Sequence, residues 1–300
     1  MSVGARLPVI DLSGDAAGVA IDEALSVSGF LYLTGHGIDP ALSARLFSTA
    51  RRFFAQPEAR KDRYAYAGVE ANFGFQGVGR ERLDPLSMPD LKETFTMRNP
   101  LLRDARSVPW PDTEFQATAL AFYSAALAAA HRLLAVLAPS LSLDTDFFAQ
   151  RHQGENVTLR MLHYPANLPV RTEAQLGAGA HTDYGTLTLL LQDAVGGLEV
   201  RDAQGTWHAA PPVPDALVIN TGDLMERWTN GRYRSTLHRV RPIQGQTDRY
   251  SIALFVDPDS AVPIECLPAC VTPASPAQYP PTTAGEHISQ KISATHRSPS

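Results

Sequence analysis

Apolar and polar positions alternate over residues 7–12 as in a strand, and Val19, Ile21, Leu25 and Val27 then fall at the spacing of an amphipathic helix over 16–27. Residues 30–34 read as a second strand that stops at Gly35-His36-Gly37, and Asp39-Pro40 opens a helix expected to run to about residue 54. Over 57–100 the pattern breaks, with Gly74, Gly77 and Gly79 among mixed residues, which predicts a long irregular connection with short elements. A long helix is expected over 113–137 and a shorter one from Asp144.

After Asn156 the period changes from that of helices to that of strands. Short β-branched or aromatic runs occupy 157–164, 179–183, 186–192, 198–201, 216–220, 235–241 and 250–256. Regularly spaced short strands predict a sandwich or jelly roll. Thr229-Asn230-Gly231-Arg232 carries the Asn-Gly signal of a two-residue hairpin feeding the run at 235–241, and a helix over 284–295 closes the chain.

The chain has 300 residues, 44% of them hydrophobic, and a formal net charge of −5. That length can bury a core large enough to enclose a cavity, and the mildly acidic balance argues against a nucleic-acid groove. Lysine occurs only at Lys61, Lys92 and Lys291, so almost all positive charge is arginine, whose fork suits carboxylates and phosphates. The two cysteines, Cys266 and Cys270, are too few for a structural zinc site and read as reduced thiols of a cytoplasmic protein. No secretory signal is visible at the N-terminus, and the most apolar stretch, 117–137, carries His131 and Arg132 and reads as a core helix rather than a membrane span.

The chemistry concentrates in the β-rich half. His181 and Asp183 lie two residues apart, on one face of an expected strand, and His238 sits in a neighbouring strand-like run from which it can reach the same cavity. Two histidines and a carboxylate form a facial triad that binds ferrous iron and leaves coordination positions open. Arg249 and Ser251 share a strand face and together make a receptor for a carboxylate. Tyr164 offers a further hydroxyl, and Arg160, four residues earlier on the same face, adds positive charge. Phe73, Phe75 and Phe255 are candidates to line a substrate pocket or to pack in an aromatic core, with Asn72 and Tyr184 as further pocket candidates. The other histidines, His36, His131, His152, His163, His208, His287 and His296, lack a partner pattern and are assigned surface or satisfied core positions.

His181-Thr182-Asp183, Trp228-Thr229-Asn230-Gly231-Arg232-Tyr233, Leu237-His238-Arg239-Val240 and Arg249-Tyr250-Ser251 together resemble the iron- and 2-oxoglutarate-dependent dioxygenases of the isopenicillin N synthase-like family. Pro8-Val9-Ile10-Asp11-Leu12 and Gly29-Phe30-Leu31-Tyr32 extend the resemblance to the N-terminal region. It implies a mixed α/β (α+β) fold with a double-stranded β-helix (jelly-roll) core and flanking helices. One domain over 1–300 is expected, with residues about 7–115 packing on a core at about 156–258. It further implies Fe(II) on His181, Asp183 and His238, and the far carboxylate of 2-oxoglutarate on Arg249 and Ser251 with help from Tyr164. The activity implied is O2-dependent hydroxylation or desaturation of a small organic molecule with release of succinate and CO2, with no nucleic-acid or membrane partner. Asp183 sets the chain apart from halogenating relatives, in which chloride replaces the carboxylate. Plant relatives commonly carry asparagine two residues before the tyrosine; Leu162 stands there in this chain, which makes Arg160 a stronger pocket candidate. Two alternatives remain open to a sequence reading: an Fe(II) oxidase of the same fold that does not use 2-oxoglutarate, and a carboxylate- or metal-binding module without turnover.

Overall fold

Period-two alternation along the central strands builds the molecule around one large sheet with two unlike faces. In the computed structural model, residues 7–83, 88–101, 109–166, 168 and 175–295 are described. The strands of the two larger sheets are β1 (Val9–Asp11), β2 (Phe30–Thr34), β3 (Phe73–Gln76), β4 (Glu93–Arg98), β5 (Thr158–Tyr164), β6 (Ala178–His181), β7 (Leu187–Gln192), β8 (Leu198–Arg201), β9 (Trp207–Ala209), β10 (Leu217–Thr221), β11 (His238–Val240) and β12 (Arg249–Val256). Eight of them form one sheet in the order β1-β2-β10-β7-β12-β5-β4-β3, and β6-β11-β8-β9 form a second. The two sheets make the jelly-roll sandwich.

One face of the large sheet is apolar and carries the helices α1 (Ala17–Val27), α2 (Pro40–Phe54), the short α3 (Glu58–Lys61) and α4 (Thr113–Leu137). Leu31, Leu33, Phe95, Met97, Leu159, Met161, Leu187, Leu189, Ile219, Ile252 and Leu254 join the buried stripe of α4, including Phe115, Phe122, Tyr123, Leu133 and Leu134, in the main core. Capping sets both long helices: Asp39 accepts the amide of Ala41 at 2.8 Å ahead of Pro40, and Asp112 accepts that of Phe115 at 2.7 Å. By length and composition α4 could cross a membrane; here its apolar stripe is spent on the sheet.

The opposite face meets the second sheet. Phe30, Tyr32, Leu162, Tyr164, Val218 and Ala253 from the large sheet pack near Ala178, Leu198, Val200 and Val240 from the small one. This second apolar cluster does not fill the sandwich, and a cavity of about 530 Å³ opens between the sheets.

Two local expectations are corrected, the Asn-Gly hairpin and the helix from Asp144, while the short elements expected over 57–100 are found. Thr229-Asn230-Gly231-Arg232 is no hairpin: Asn230 (φ 51°) and Gly231 (φ 81°) end a short helix, α5 (Asp223–Trp228), and the Gly231 amide bonds the Glu226 carbonyl at 2.8 Å. Positive φ at successive residues serves a helix C-terminus as well as a type I′ turn, so the Asn-Gly pair alone does not separate the two. The stretch 57–100 contains β3 and β4, which pair with each other and, through β4, extend the sheet from β5. Gly74 sits at φ 115° where a Cβ would meet the carbonyl oxygens of Tyr64 and Ala65 at 2.7 Å, so what looks like a strand breaker is a close backbone approach. From Asp144 the chain makes turns and a single 3-10 segment, Ala149–Arg151, rather than a helix. The closing helix α6 (Ala284–Thr295) forms as expected.

Candidate active site

The small sheet delivers three possible metal ligands to the cavity. His238 on β11 pairs directly with His181 at the end of β6. Asp183 lies two residues past the end of β6, so it converges with His181 through the following turn and not through strand alternation. The amide of Asp223, at the start of α5, holds the Asp183 carbonyl at 2.8 Å and fixes that turn. Asp183 Oδ1 lies 3.8 Å from Nε2 of His181 and 3.8 Å from Nε2 of His238, and one ligand atom from each residue fits within 4.8 Å of the others. Among the described residues no other cluster of this kind occurs.

Each ligand is aimed from behind. His181 Nδ1 lies 2.7 Å from the Gly179 carbonyl and His238 Nδ1 3.1 Å from that of Thr236, so each ring donates there and turns the Nε2 lone pair to the centre. Asn220 on β10 donates to Asp183 Oδ2 at 2.8 Å, joined by the Thr188 hydroxyl from β7, leaving Oδ1 for the centre. Burial, followed by the neighbouring His238, pushes His181 down to about 3, so its imidazole is neutral and ready to ligate at neutral pH. Burial opposes the charge on Asp183, but His238 and His181 outweigh it and hold the carboxyl below its ordinary range. Two imidazoles and a carboxylate suit Fe(II).

The large sheet supplies a cation to the same cavity. Arg249 and Ser251 occupy the inner face of β12, opposite Tyr164 and Leu162 of β5. Arg249 is wholly buried; Nη1 donates to Ser251 Oγ at 3.2 Å, Nη2 to Gln192 Oε1 at 3.1 Å, and the guanidinium lies 4.6 Å from the centre of the Tyr164 ring. Its Nε has no partner, and among the described residues no carboxylate pairs with it. A buried guanidinium without an anion is costly, so the donor set fits a carboxylate-bearing co-substrate.

Of the other expected pocket residues, Asn72, Arg160, Leu162, Tyr184 and Phe255 line the cavity. Phe73 and Phe75 do not. They point to the helix side, where Phe73 packs against Phe95 and Trp110, and Phe75 against Phe53 and Phe54. Arg160 both lines the cavity and pairs with Glu81. Most of the remaining histidines are satisfied as expected: His152 sits between the Phe148 carbonyl and Thr186, His163 between Glu93 and Asp248, and His208 on Asp202. His287 is the exception, with no hydrogen-bond partner for Nε2, and His296 lies outside the described residues. Residues the sequence reading passed over include Gln192, Thr188 and Asn220, which hold the site from cross-strand positions, and Asp257, which lines the cavity. Burial, with Asp183 nearby, raises the Asp257 carboxyl to about 7. Cys266 and Cys270 are half-buried free thiols.

Residues 155–258 match the 2OG-Fe(II) oxygenase superfamily, and residues 7–114 match the region described as non-haem dioxygenase in morphine synthesis N-terminal. The 2-oxoglutarate-Fe(II) type oxidoreductase hxnY of Emericella nidulans is 37% identical over 286 residues, covering 89% of this chain and 81% of the relative. The chain belongs to the 2-oxoglutarate- and Fe(II)-dependent oxygenases. Two solved structures agree with this oxygenase throughout. A full-length Neurospora crassa protein in complex with alpha-KG and thymine matches with a TM-score of 0.86 and 30% identity over 99% of both chains. JOX2 in complex with 2OG, Fe and JA matches with a TM-score of 0.84 and 29% identity, over 99% of this chain and 87% of that one. The oxygenase is therefore an enzyme that uses Fe(II) and 2-oxoglutarate, and the alternatives of a 2-oxoglutarate-independent oxidase and of a module without turnover are set aside.

Proposed function

We propose that this oxygenase oxidises a C–H bond of a small organic molecule by hydroxylation or desaturation, with His181, Asp183 and His238 holding Fe(II) and Arg249 and Ser251 holding the far carboxylate of 2-oxoglutarate. The observation that carries the reading is Arg249: a wholly buried cation with no carboxylate among the described residues, facing the cavity that holds the three-ligand cluster. When bound, Fe(II) with 2-oxoglutarate and O2 supplies the oxidising power, and 2-oxoglutarate leaves as succinate and CO2.

The chain's own residues position and protect. Ser251 and Gln192 hold the Arg249 fork at 3.2 and 3.1 Å, so the guanidinium receives an anion without reorganising. Tyr164 walls the guanidinium on one side, as the sequence resemblance implies for an assisting tyrosine. Phe30 packs edge-on against His238 at 5.5 Å and keeps water off the ligand from the side of β2. Asn72, Leu162, Tyr184 and Phe255 form the substrate side, together with Ile288 and Ile292 of α6, which line the same cavity. A cavity of about 530 Å³ suits a small molecule and not a polymer. The unpaired thiols support a cytoplasmic location.

Succinate formation tests the proposal. The Fe(II)-loaded enzyme in air should convert 2-oxoglutarate to succinate, faster when a fitting small molecule is present. A folded, iron-loaded protein that releases no succinate across a broad panel would count against it.

A further inference from the structure

A second polar feature of the cavity lies away from the three ligands and from Arg249. Arg160 on β5 and Thr96 on β4 are direct cross-strand partners, and both line the cavity. Arg160 Nη2 is spent on Glu81, with Gln76 Oε1 at 3.4 Å and Thr94 Oγ1 at 3.3 Å. Its Nε is buried without a partner, and so is the hydroxyl of Thr96, a residue only 2% exposed. Unmet buried donors are rare in folded proteins, and two side by side in a cavity wall call for an acceptor from a ligand.

We propose that Arg160 Nε–H and Thr96 Oγ–H together anchor the primary substrate by an oxygen on a trigonal carbon, a carbonyl or a carboxylate. The inference rests on the functional reading above and names the substrate chemistry for that site.

The anchor is rigid because its charges are balanced behind it. Glu81 pairs with Arg160 and lies 3.4 Å from Lys92, while Lys92 pairs with Asp90. Burial works to raise the Glu81 carboxyl, but Arg160 and Lys92 overcome it and hold it at about 2, so the network stays ionised. Asp90 Oδ1 then accepts the amide of Gly179 at 2.9 Å, and the Gly179 carbonyl takes His181 Nδ1. The wall that holds the donors is thus tied to the strand that carries a metal ligand, which suits a residue that sets substrate position relative to the reacting centre. Two cations face two carboxylates in this network, so a neutral carbonyl is accepted as well as a carboxylate, and the test separates these sources.

The probes are acetate and acetamide, with ethanol as the comparison, added to the Zn(II)- and 2-oxoglutarate-loaded protein labelled with 15N-arginine. The Arg160 Nε–H resonance, assigned by its loss in Arg160→Lys, should move saturably with acetate or acetamide at concentrations up to about 100 mM, the weak range expected of such small ligands. The larger response identifies the charged or neutral form. Thr96→Val should weaken that binding about fivefold, the loss of one hydrogen bond, without changing the affinity for 2-oxoglutarate. Silence toward both probes, or a response to ethanol as large as to acetamide, or binding unchanged in Thr96→Val, would overturn the anchor. Bound 2-oxoglutarate is followed in the same sample by its 13C carboxylate signals: its loss would speak against the co-substrate reading, whereas its retention beside a silent Arg160 speaks against the anchor alone.

Discussion

Along β5 and β12 alternate residues go to opposite sides of the large sheet. Leu159, Met161, Ile252 and Leu254 enter the helix-packed core, while Arg160, Leu162, Arg249 and Ser251 face the cavity. The helix side is stabilised by burial of apolar area. The cavity side holds an unpaired guanidinium, two unmet donors on Arg160 and Thr96, and three close-set metal-ligand side chains. The same strands therefore carry stability on one face and unmet binding capacity on the other. Substitutions on the two faces should separate fold from function cleanly.

The sharpest separation comes from the proposed ligands. Asp183→Ala should lower succinate formation by at least about a thousandfold. Its melting temperature without metal should stay near that of the parent, because removing a buried charge offsets the hydrogen bonds lost from Asn220 and Thr188. A large drop in melting temperature would place Asp183 among the structural residues.

The opposite face gives the converse result. Ile252→Ala removes a wholly packed side chain from the helix side and should cost about 2–5 kcal/mol in denaturant unfolding. The KM for 2-oxoglutarate should hold in the folded fraction, and a rise in KM without a loss of stability would erase the distinction between the faces.

Arg249→Met tests the cavity face in both respects. The KM for 2-oxoglutarate should rise about a hundredfold, on the order of 2–3 kcal/mol for a charged anchor. The apoprotein should be no less stable, because a buried cation without a carboxylate has been replaced by an apolar chain of similar length. Loss of apoprotein stability comparable to that of Ile252→Ala would show that Arg249 is a structural residue.

The last effect concerns pH. Asp257 is raised to about 7 in the fold from an ordinary 3.8, so the native protein binds its proton more tightly than the unfolded chain does. Its favourable contribution is complete below about pH 4 and is lost as pH rises through 7. Asp257→Asn should therefore stabilise the metal-free protein more at pH 8 than at pH 5, by about 2–3 kcal/mol, the two pH units between pH 5 and the raised value at about 1.4 kcal/mol each. Equal effects at both pH values would contradict the raised carboxyl.

The sequence carried the two faces unevenly. The strand runs and the helices at 40–54 and 113–137 were legible from period; the grouping of His181, Asp183 and His238 was legible from motif, although Asp183 reaches it through a turn past the end of β6 and not by strand alternation. Thr229 to Arg232 misled because Asn-Gly supplies positive φ to a helix end and to a hairpin alike. Phe73 and Phe75 fell on the wrong side because β3 itself was unread, and without a strand there is no alternation to orient its side chains. Gln192, Thr188 and Asn220 escaped notice because they act through cross-strand contacts that no local spacing encodes. Asp90 and Lys92 lie two residues apart within the unread stretch, and only the pairing of β4 with β5 brings them behind Arg160. Lysine being so rare in the chain is the one signal by which Lys92 could have been singled out.

The central claim is that the cavity face holds Fe(II) and 2-oxoglutarate side by side, with Arg249 as the anchor of the second. Anaerobic titration of the Fe(II)-loaded enzyme with 2-oxoglutarate, followed by visible absorption, tests it most directly. A metal-to-ligand band should grow to saturation at one 2-oxoglutarate per iron, and Arg249→Met should need far more co-substrate to reach it. A band that never forms, or one that saturates at the same concentration in both proteins, would contradict the account.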